Sequence, residues 1–226
     1  MRSSIRRLLF LTVAAGAVAA AACTDAPPPA PVAAAPSLSS GSGSGDDAGR
    51  ERLERQADEA RARLRAEKDR SRAAYDSLKA VWDRQRKSTS ASDVQLLACE
   101  PEEYAYDVEI VGPDGGTLQM GRHRLEIPPG ALDSLVVIEA VAPLSPVREV
   151  RFAPHGLQFH KSGRLDVSYH GCTEPAGFRG QIAYVDDEYH VLELPKTEPN
   201  DASLEMLRSW IDHFSGYVVA HTRLAE

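Results

Sequence analysis

Apolar residues change their period once along this chain, and the change divides it. Between residues 46 and 87 they are sparse and recur at helical spacing. A strict alternation of four and three picks out Leu53, Ala57, Ala60, Leu64, Glu67, Ser71, Ala74, Leu78, Val81 and Gln85. The stretch lacks proline and is dominated by Ala, Arg, Glu, Leu and Lys, the strongest helix formers. Asp46 and Asp47 suit the N-terminal end of a helix dipole, and Arg84, Arg86 and Lys87 suit its C-terminal end. The pattern predicts one helix over 46–88, about 60 Å long at roughly 1.5 Å per residue. Three of the ten seam positions are polar, so the seam is weak as a coiled coil. Two uses of the helix stay open. It pairs with copies of itself or with another helix, or it is a solvated spacer held by pairs such as Glu51 with Arg55, Glu59 with Arg63 and Asp83 with Lys87.

Beyond residue 88 the period shortens. VEIV (108–111), HRLEI (123–127), LVVIEAVA (135–142), EVRF (149–152), RLDVSYH (164–170), QIAYV (181–185), YHVLEL (189–194) and GYVVA (216–220) are short runs rich in Val, Ile and Tyr. Turn residues bound them, among them Gly112 to Gly116, Pro128-Pro129-Gly130 and Asp186-Asp187-Glu188. Leu165, Val167 and Tyr169 alternate with Arg164, Asp166 and Ser168, as on a strand with one wet face. The spacing predicts an antiparallel β-sandwich. Residues 203–211 (SLEMLRSWI) read as a short helical stretch.

The N-terminus adds a location. Arg2, Arg6 and Arg7 precede an apolar core at 8–20 and small residues up to Cys23, the layout of a secretory signal peptide over 1–22. Ala20-Ala21-Ala22-Cys23 resembles the lipobox of bacterial lipoproteins, which implies diacylation of Cys23; it departs at Ala20, where larger aliphatics are usual, so cleavage without lipid is the alternative. Residues 23–45, almost all Pro, Ala, Ser and Gly after the first few, read as a disordered tether. Cys99 and Cys172 remain as a pair in an exported chain, where a disulfide is permitted; two free buried thiols are the alternative.

Charge then limits the partners. Residues 46–87 hold 13 Lys and Arg against 10 Asp and Glu, a net of +3; residues 88–226 hold 10 against 22, a net of -12. Neither half has the basic surface that nucleic acid requires, and the second favours cationic partners.

Three segments of the β half carry a resemblance: Gly115-Gly116, the turn Ile127 to Leu132 (IPPGAL), and Pro154 to Lys161 (PHGLQFHK). In this order they resemble the signature of the ZU-five domain, the β-sandwich of zonula occludens scaffolds, netrin-receptor tails and ankyrins. The resemblance covers roughly 106–221 and implies an interaction or structural module rather than an enzyme. Some members of that family carry a following β-module that cleaves itself between Phe and Ser of an HFS tripeptide. His213-Phe214-Ser215 matches the tripeptide, but the second module is missing. On an extended strand His213 and Ser215 would share a face, with the imidazole as base; the plainer expectation is that Phe214 and Tyr217 anchor a closing strand.

No other chemistry stands out. His155 and His160 lack a third ligand at short spacing, and His170, His190 and His221 fall on different predicted elements. Asp186-Asp187-Glu188 reads as an acidic hairpin turn before it reads as a calcium site. The sequence implies no cofactor, no metal and no catalytic residue. Its reading is an exported envelope lipoprotein facing the periplasm or cell surface: anchor at Cys23, tether, helix over 46–88, connector over 89–105, sandwich over 106–221, tail over 222–226. Its partners would be a membrane, through the lipid, and an envelope protein or a second helix. Self-processing between Phe214 and Ser215, and a helix-mediated oligomeric spacer, are the alternatives.

Overall fold

Alternating burial along the strands of the second half builds two antiparallel sheets, and the helical stripe of the first half lies against one of them. A computed structural model describes residues 45–88, 94–198 and 203–222; the expectations for Cys23, the signal and the tether lie outside these. The described residues all belong to one compact unit. Helix α1 (Gly45–Ser88) is followed by β1 (Val94–Leu96), β2 (Ala105–Val111), β3 (Gly116–Met120), β4 (His123–Ile127), β5 (Val136–Ala142) and β6 (Glu149–Ala153). Then come β7 (Gln158–Ser168), β8 (Gly180–Val185), β9 (Val191–Glu193), β10 (Met206–His213) and β11 (Gly216–Thr222).

The larger sheet runs β2-β5-β6-β11-β8-β9, with β1 also pairing β11; the smaller runs β10-β7-β4-β3. Their facing sides make the main core. β5 contributes Val136, Ile138, Ala140 and Ala142, while β4 and β7 contribute Leu125, Ile127, Leu165 and Val167. The two sheets approach each other along both margins. On one, the Gln119 N–H of β3 donates to the Asp107 carboxylate of β2, 2.8 Å away. On the other, residues 196–198 leave β9 and run along the outer side of β10: Trp210 N–H to Lys196 O (3.2 Å), Glu198 N–H to Arg208 O (2.8 Å). Each margin thereby uses edge groups that would otherwise stay unpaired.

Three segments differ from the sequence reading, the first being β3 (Gly116–Met120), which none of the predicted runs covers. Residues 206–213 are strand β10, not a helical turn, because Leu207, Ser209 and Ile211 point inward and pair across to β7. β1, inside the stretch read as a connector, belongs to the larger sheet, and Ala98 and Cys99 beyond it make isolated bridges to Val147 and Cys172.

The buried side of α1 is Gly49, Leu53, Ala57, Ala60 and Leu64, then half-buried Ser71, Tyr75 and Leu78, then buried Trp82. The first four turns match the alternation of four and three. Further on, Ser71 and Leu78 keep to it, while Tyr75 and Trp82 stand one residue past 74 and 81, with Val81 half-buried beside Trp82. That drift is the signature of a straight helix with 3.6 residues per turn, where a supercoiled partner would hold 3.5. The helix rests instead on the outer face of its own larger sheet. Ala57, Ala60 and Leu64 pack with Val108, Tyr106, Ile110, Val137 and Val141, and Trp82 joins Val147, Ala183, Val185 and Val218. Polar contacts fasten it: Arg61 donates to the Val108 carbonyl on the open edge of β2 (2.7 Å), and Arg63 pairs with Glu139 of β5. The pair Glu51–Arg55 forms as expected, Arg63 turns to the sheet instead of to Glu59, and Asp83 bonds Lys79.

Candidate functional site

The HFS tripeptide is a corner between the sheets. β10 of the smaller sheet ends at His213, β11 of the larger begins at Gly216, and Phe214 and Ser215 make the passage. The chain turns there because Phe214 drops into the core, stacked on Phe152 (centroids 5.2 Å apart) and edge-on to Phe159 (4.9 Å). Its backbone is held on both sides, by Phe214 N–H to Leu157 O (2.9 Å) and Gly156 N–H to Phe214 O (3.2 Å), while Phe152 N–H donates to Ser215 O (3.1 Å). Tyr217 then latches the corner by donating its hydroxyl to the His213 carbonyl at 2.6 Å, as the tyrosine corner of immunoglobulin-type sandwiches does.

This geometry separates the two residues that self-cleavage would couple. The His213 ring lies edge-on to Tyr184, with centroids 5.1 Å apart, and its Nε2 is 3.4 Å from Glu193. Among the described residues no hydrogen bond joins it to Ser215. Ser215 lines a cleft of about 220 Å3 on the other side, with His155, Glu149, Arg151, Asp186 and Asp187 among its neighbours. Neither Phe214 nor Ser215 has a positive φ; among described non-glycine residues only Tyr189 and Glu205 do. The extended strand expected through HFS is therefore a bend, and Phe214 anchors the core as the plainer reading had it.

The three segments that resemble the ZU-five signature meet at one place in the fold. Gly115 has φ +77°, and a β-carbon there would strike the Ile127 carbonyl at the start of the proline turn. Gly130, with φ +76°, would meet Lys161, whose Nζ donates to Pro129 O at 2.8 Å. His160 N–H donates to Ala131 O (3.0 Å) and Gly130 N–H to Pro113 O (2.7 Å). Glycine is required where backbone passes this close, and the lysine satisfies a carbonyl that the prolines leave without a strand partner. The motifs form a structural knot.

Cys99 and Cys172 face each other across an isolated antiparallel bridge as a disulfide-capable pair, sulfurs 2.01 Å apart. Beside the same loop lies a buried polar group that sequence reading did not find. His123 takes the Ser168 N–H on Nδ1 (3.2 Å) and faces the Glu102 carboxylate with Nε2 (3.3 Å); Arg148 lies 3.6 Å from the other Glu102 oxygen and donates to the His170 carbonyl. In its neutral form His123 thus carries its proton on Nε2, toward Glu102. Burial works to raise the Glu102 pKa, but the His123 hydrogen bond and the charge of Arg148 hold it below the ordinary carboxylate value. On the outer face, Tyr189 donates to Glu149 (2.8 Å) and Arg151 to the other Glu149 oxygen (3.1 Å); burial, then the Glu149 charge, push the Tyr189 pKa up.

The remaining histidines are spread out. His160 meets Asp133 at 2.7 Å, His170 meets Glu205, and His190 meets Asp186 at 2.9 Å. Asp186, Glu188 and His190 bring ligand atoms within 4.8 Å of one another. The Asp186 carboxylate, however, already accepts the N–H groups of Glu188 (3.0 Å) and His190 (2.8 Å), which closes the β8–β9 hairpin. That is the acidic turn expected from the sequence. No described helix is long and apolar enough to cross a membrane. No protein-family model matches this chain, and no curated protein matches it.

Proposed function

We propose that this protein is a lipid-anchored bacterial envelope protein whose helix and ZU-like sandwich act together as an interaction or structural module. The observation that carries the reading is the HFS corner. Its aromatic residues, histidine and carbonyls are committed to joining two sheets, so the segment with the strongest chemical signal is explained by architecture. The facing cysteines suit an oxidising compartment, which agrees with export. The helix stripe that a coiled coil would need is covered by the sandwich, which favours a module over a helical oligomer. Cys23 supplies the anchor: two acyl chains bind a membrane stably where one is marginal, each buried CH2 contributing about 0.8 kcal/mol.

The test is made in envelopes of cells expressing the full chain. Wild-type protein should fractionate with membranes and yield defined cross-linked partners, and Cys23→Ser should release it into the soluble fraction. Membrane association that survives Cys23→Ser refutes the anchor; absence of any cross-linked partner refutes the module.

A second reading, self-processing between Phe214 and Ser215, is favoured by one observation: Ser215 shares its cleft with His155, and the Phe214 carbonyl already accepts the Gly156 N–H. A fragment beginning at Ser215 that Ser215→Ala abolishes is its signature.

A further inference from the structure

Helix α1 leaves part of the outer face of the larger sheet uncovered. Val137 and Glu139 of β5 and Arg151 and Ala153 of β6 point to this side, because Val136, Ile138, Val150 and Phe152 alternate with them into the core. The register puts Glu139 opposite Ala153, Arg151 opposite Gly216, and Gly216 opposite Val185. These residues form a strip across β5, β6, β11 and β8, about 14 Å wide at roughly 4.8 Å per strand, and Gly216 has no side chain to interrupt it. Two hollows share the strip. One, of about 620 Å3, runs between α1 and β5 and is walled by Leu53, Ala60, Leu135, Val137, Ala153 and Pro154. The other is the cleft of about 220 Å3 beside Ser215. They adjoin at one short segment, since Ala153 and Pro154 line the groove and His155 lines the cleft.

The two ends differ in character, and together they define a ligand. The groove is mostly apolar, with Gln56, Glu59, Arg63 and Glu139 as its polar groups, and Arg63 is paired with Glu139. Glu59 is left over. In the cleft, Arg151 donates to Glu149 at 3.1 Å, Asp186 is bound to His190 at 2.9 Å, and the Asp187 charge also acts on Arg151. Counted over both linings, Glu59, Glu139, Glu149, Asp186 and Asp187 face Arg63 and Arg151, a net of -3 with His155 neutral. The charges just outside do not reverse this. Arg52 and Glu67 stand one helical turn beyond either end of the α1 stripe and offset each other, and Glu188 adds a carboxylate to the turn. Low-dielectric walls beside a net negative lining focus the field on a cation, and a hollow of this size with few polar groups suits a small ligand. The helix on one side and the β8–β9 turn on the other bound its length.

We propose that this strip is a binding site for a small organic cation, its apolar body lying in the groove between α1 and β5 and its ammonium group toward Asp187 at the cleft. The site goes beyond the module reading and does not depend on it. The full mature chain is titrated by calorimetry with octylammonium, octanoate and octanol, each below the concentration at which it aggregates. Octylammonium should bind saturably at one site, and octanoate, whose charge meets like charge, at least about tenfold more weakly. Two variants locate the site. Ala153→Phe places a ring on the strip and should abolish octylammonium binding; Asp187→Asn, at an exposed position, should weaken it about two- to fivefold while leaving octanoate no weaker. Circular dichroism checks that each is folded, and Asp187→Asn decides the matter alone if Ala153→Phe is not. Octanoate or octanol binding as tightly as octylammonium overturns the proposal, as does uptake that never saturates or binding unchanged in a folded variant. An alternating Leu–Lys peptide that binds where octylammonium does not also overturns it, and would make the strip a protein groove.

Discussion

Single residues at the sheet junction and in the buried polar group bear the clearest energetic burdens. Phe214 is packed between Phe152 and Phe159, and its loss leaves a cavity in the middle of the core. Phe214→Ala should cost about 3–5 kcal/mol in urea unfolding; a loss under about 1 kcal/mol would mean that the corner does not need its aromatic anchor. Glu102 makes the stability depend on acid. Its folded pKa is held below the ordinary 4.5, so its contribution is complete above that value and is lost as pH falls through the folded pKa. Glu102→Gln should therefore narrow the stability difference between pH 6 and pH 3 relative to wild type; an unchanged acid limb would show that His123 and Arg148 do not act through it. The Phe214 anchor was expected from the sequence; the Glu102 group was not, because Glu102, His123, Arg148 and Ser168 lie on four different segments that only the fold brings together.

At the scale of elements, the sequence pattern located the helix to within a residue and eight of the strands, because their apolar positions keep one period from end to end. β10 was misread for a physical reason. Its inward Ser209, fully buried, satisfies its hydroxyl on Lys196 O (3.0 Å), while Trp210 and Met206 face outward, so the polar and apolar signs of the alternation are reversed at its centre. Met, Leu, Arg and Glu in the same stretch added helix propensity that tertiary pairing overrode. β1, three residues long, carries too little pattern to be seen without its partner β11. For the helix, the pattern left self-pairing or a solvated spacer open, and the fold instead packs it on the larger sheet. Ala57 is fully buried under it. Ala57→Glu should thus free residues 45–88 from hydrogen-exchange protection while leaving the sandwich protected. Loss of protection in both together, or in neither, would contradict a helix docked as a separate layer.

For the molecule as a whole, the pairing of Cys99 with Cys172 closes a loop spanning 73 residues and fastens the β7–β8 connection to the segment between β1 and β2. The chain-entropy model assigns such a loop about 4–5 kcal/mol, so Cys172→Ser should lower stability by roughly that much or less, and reducing agent should then have no further effect. A reductant that destabilises the variant as much as wild type would remove the pairing from the account. The larger claim is that one continuous chain connects a lipid at Cys23 to an uncut sandwich. The intact mass of the protein extracted from membranes tests it most directly. The account predicts a single species beginning at Cys23, carrying a diacylglyceryl group, and running unbroken through Phe214 and Ser215 to Glu226. A chain without lipid, or a fragment that begins at Ser215, would contradict it.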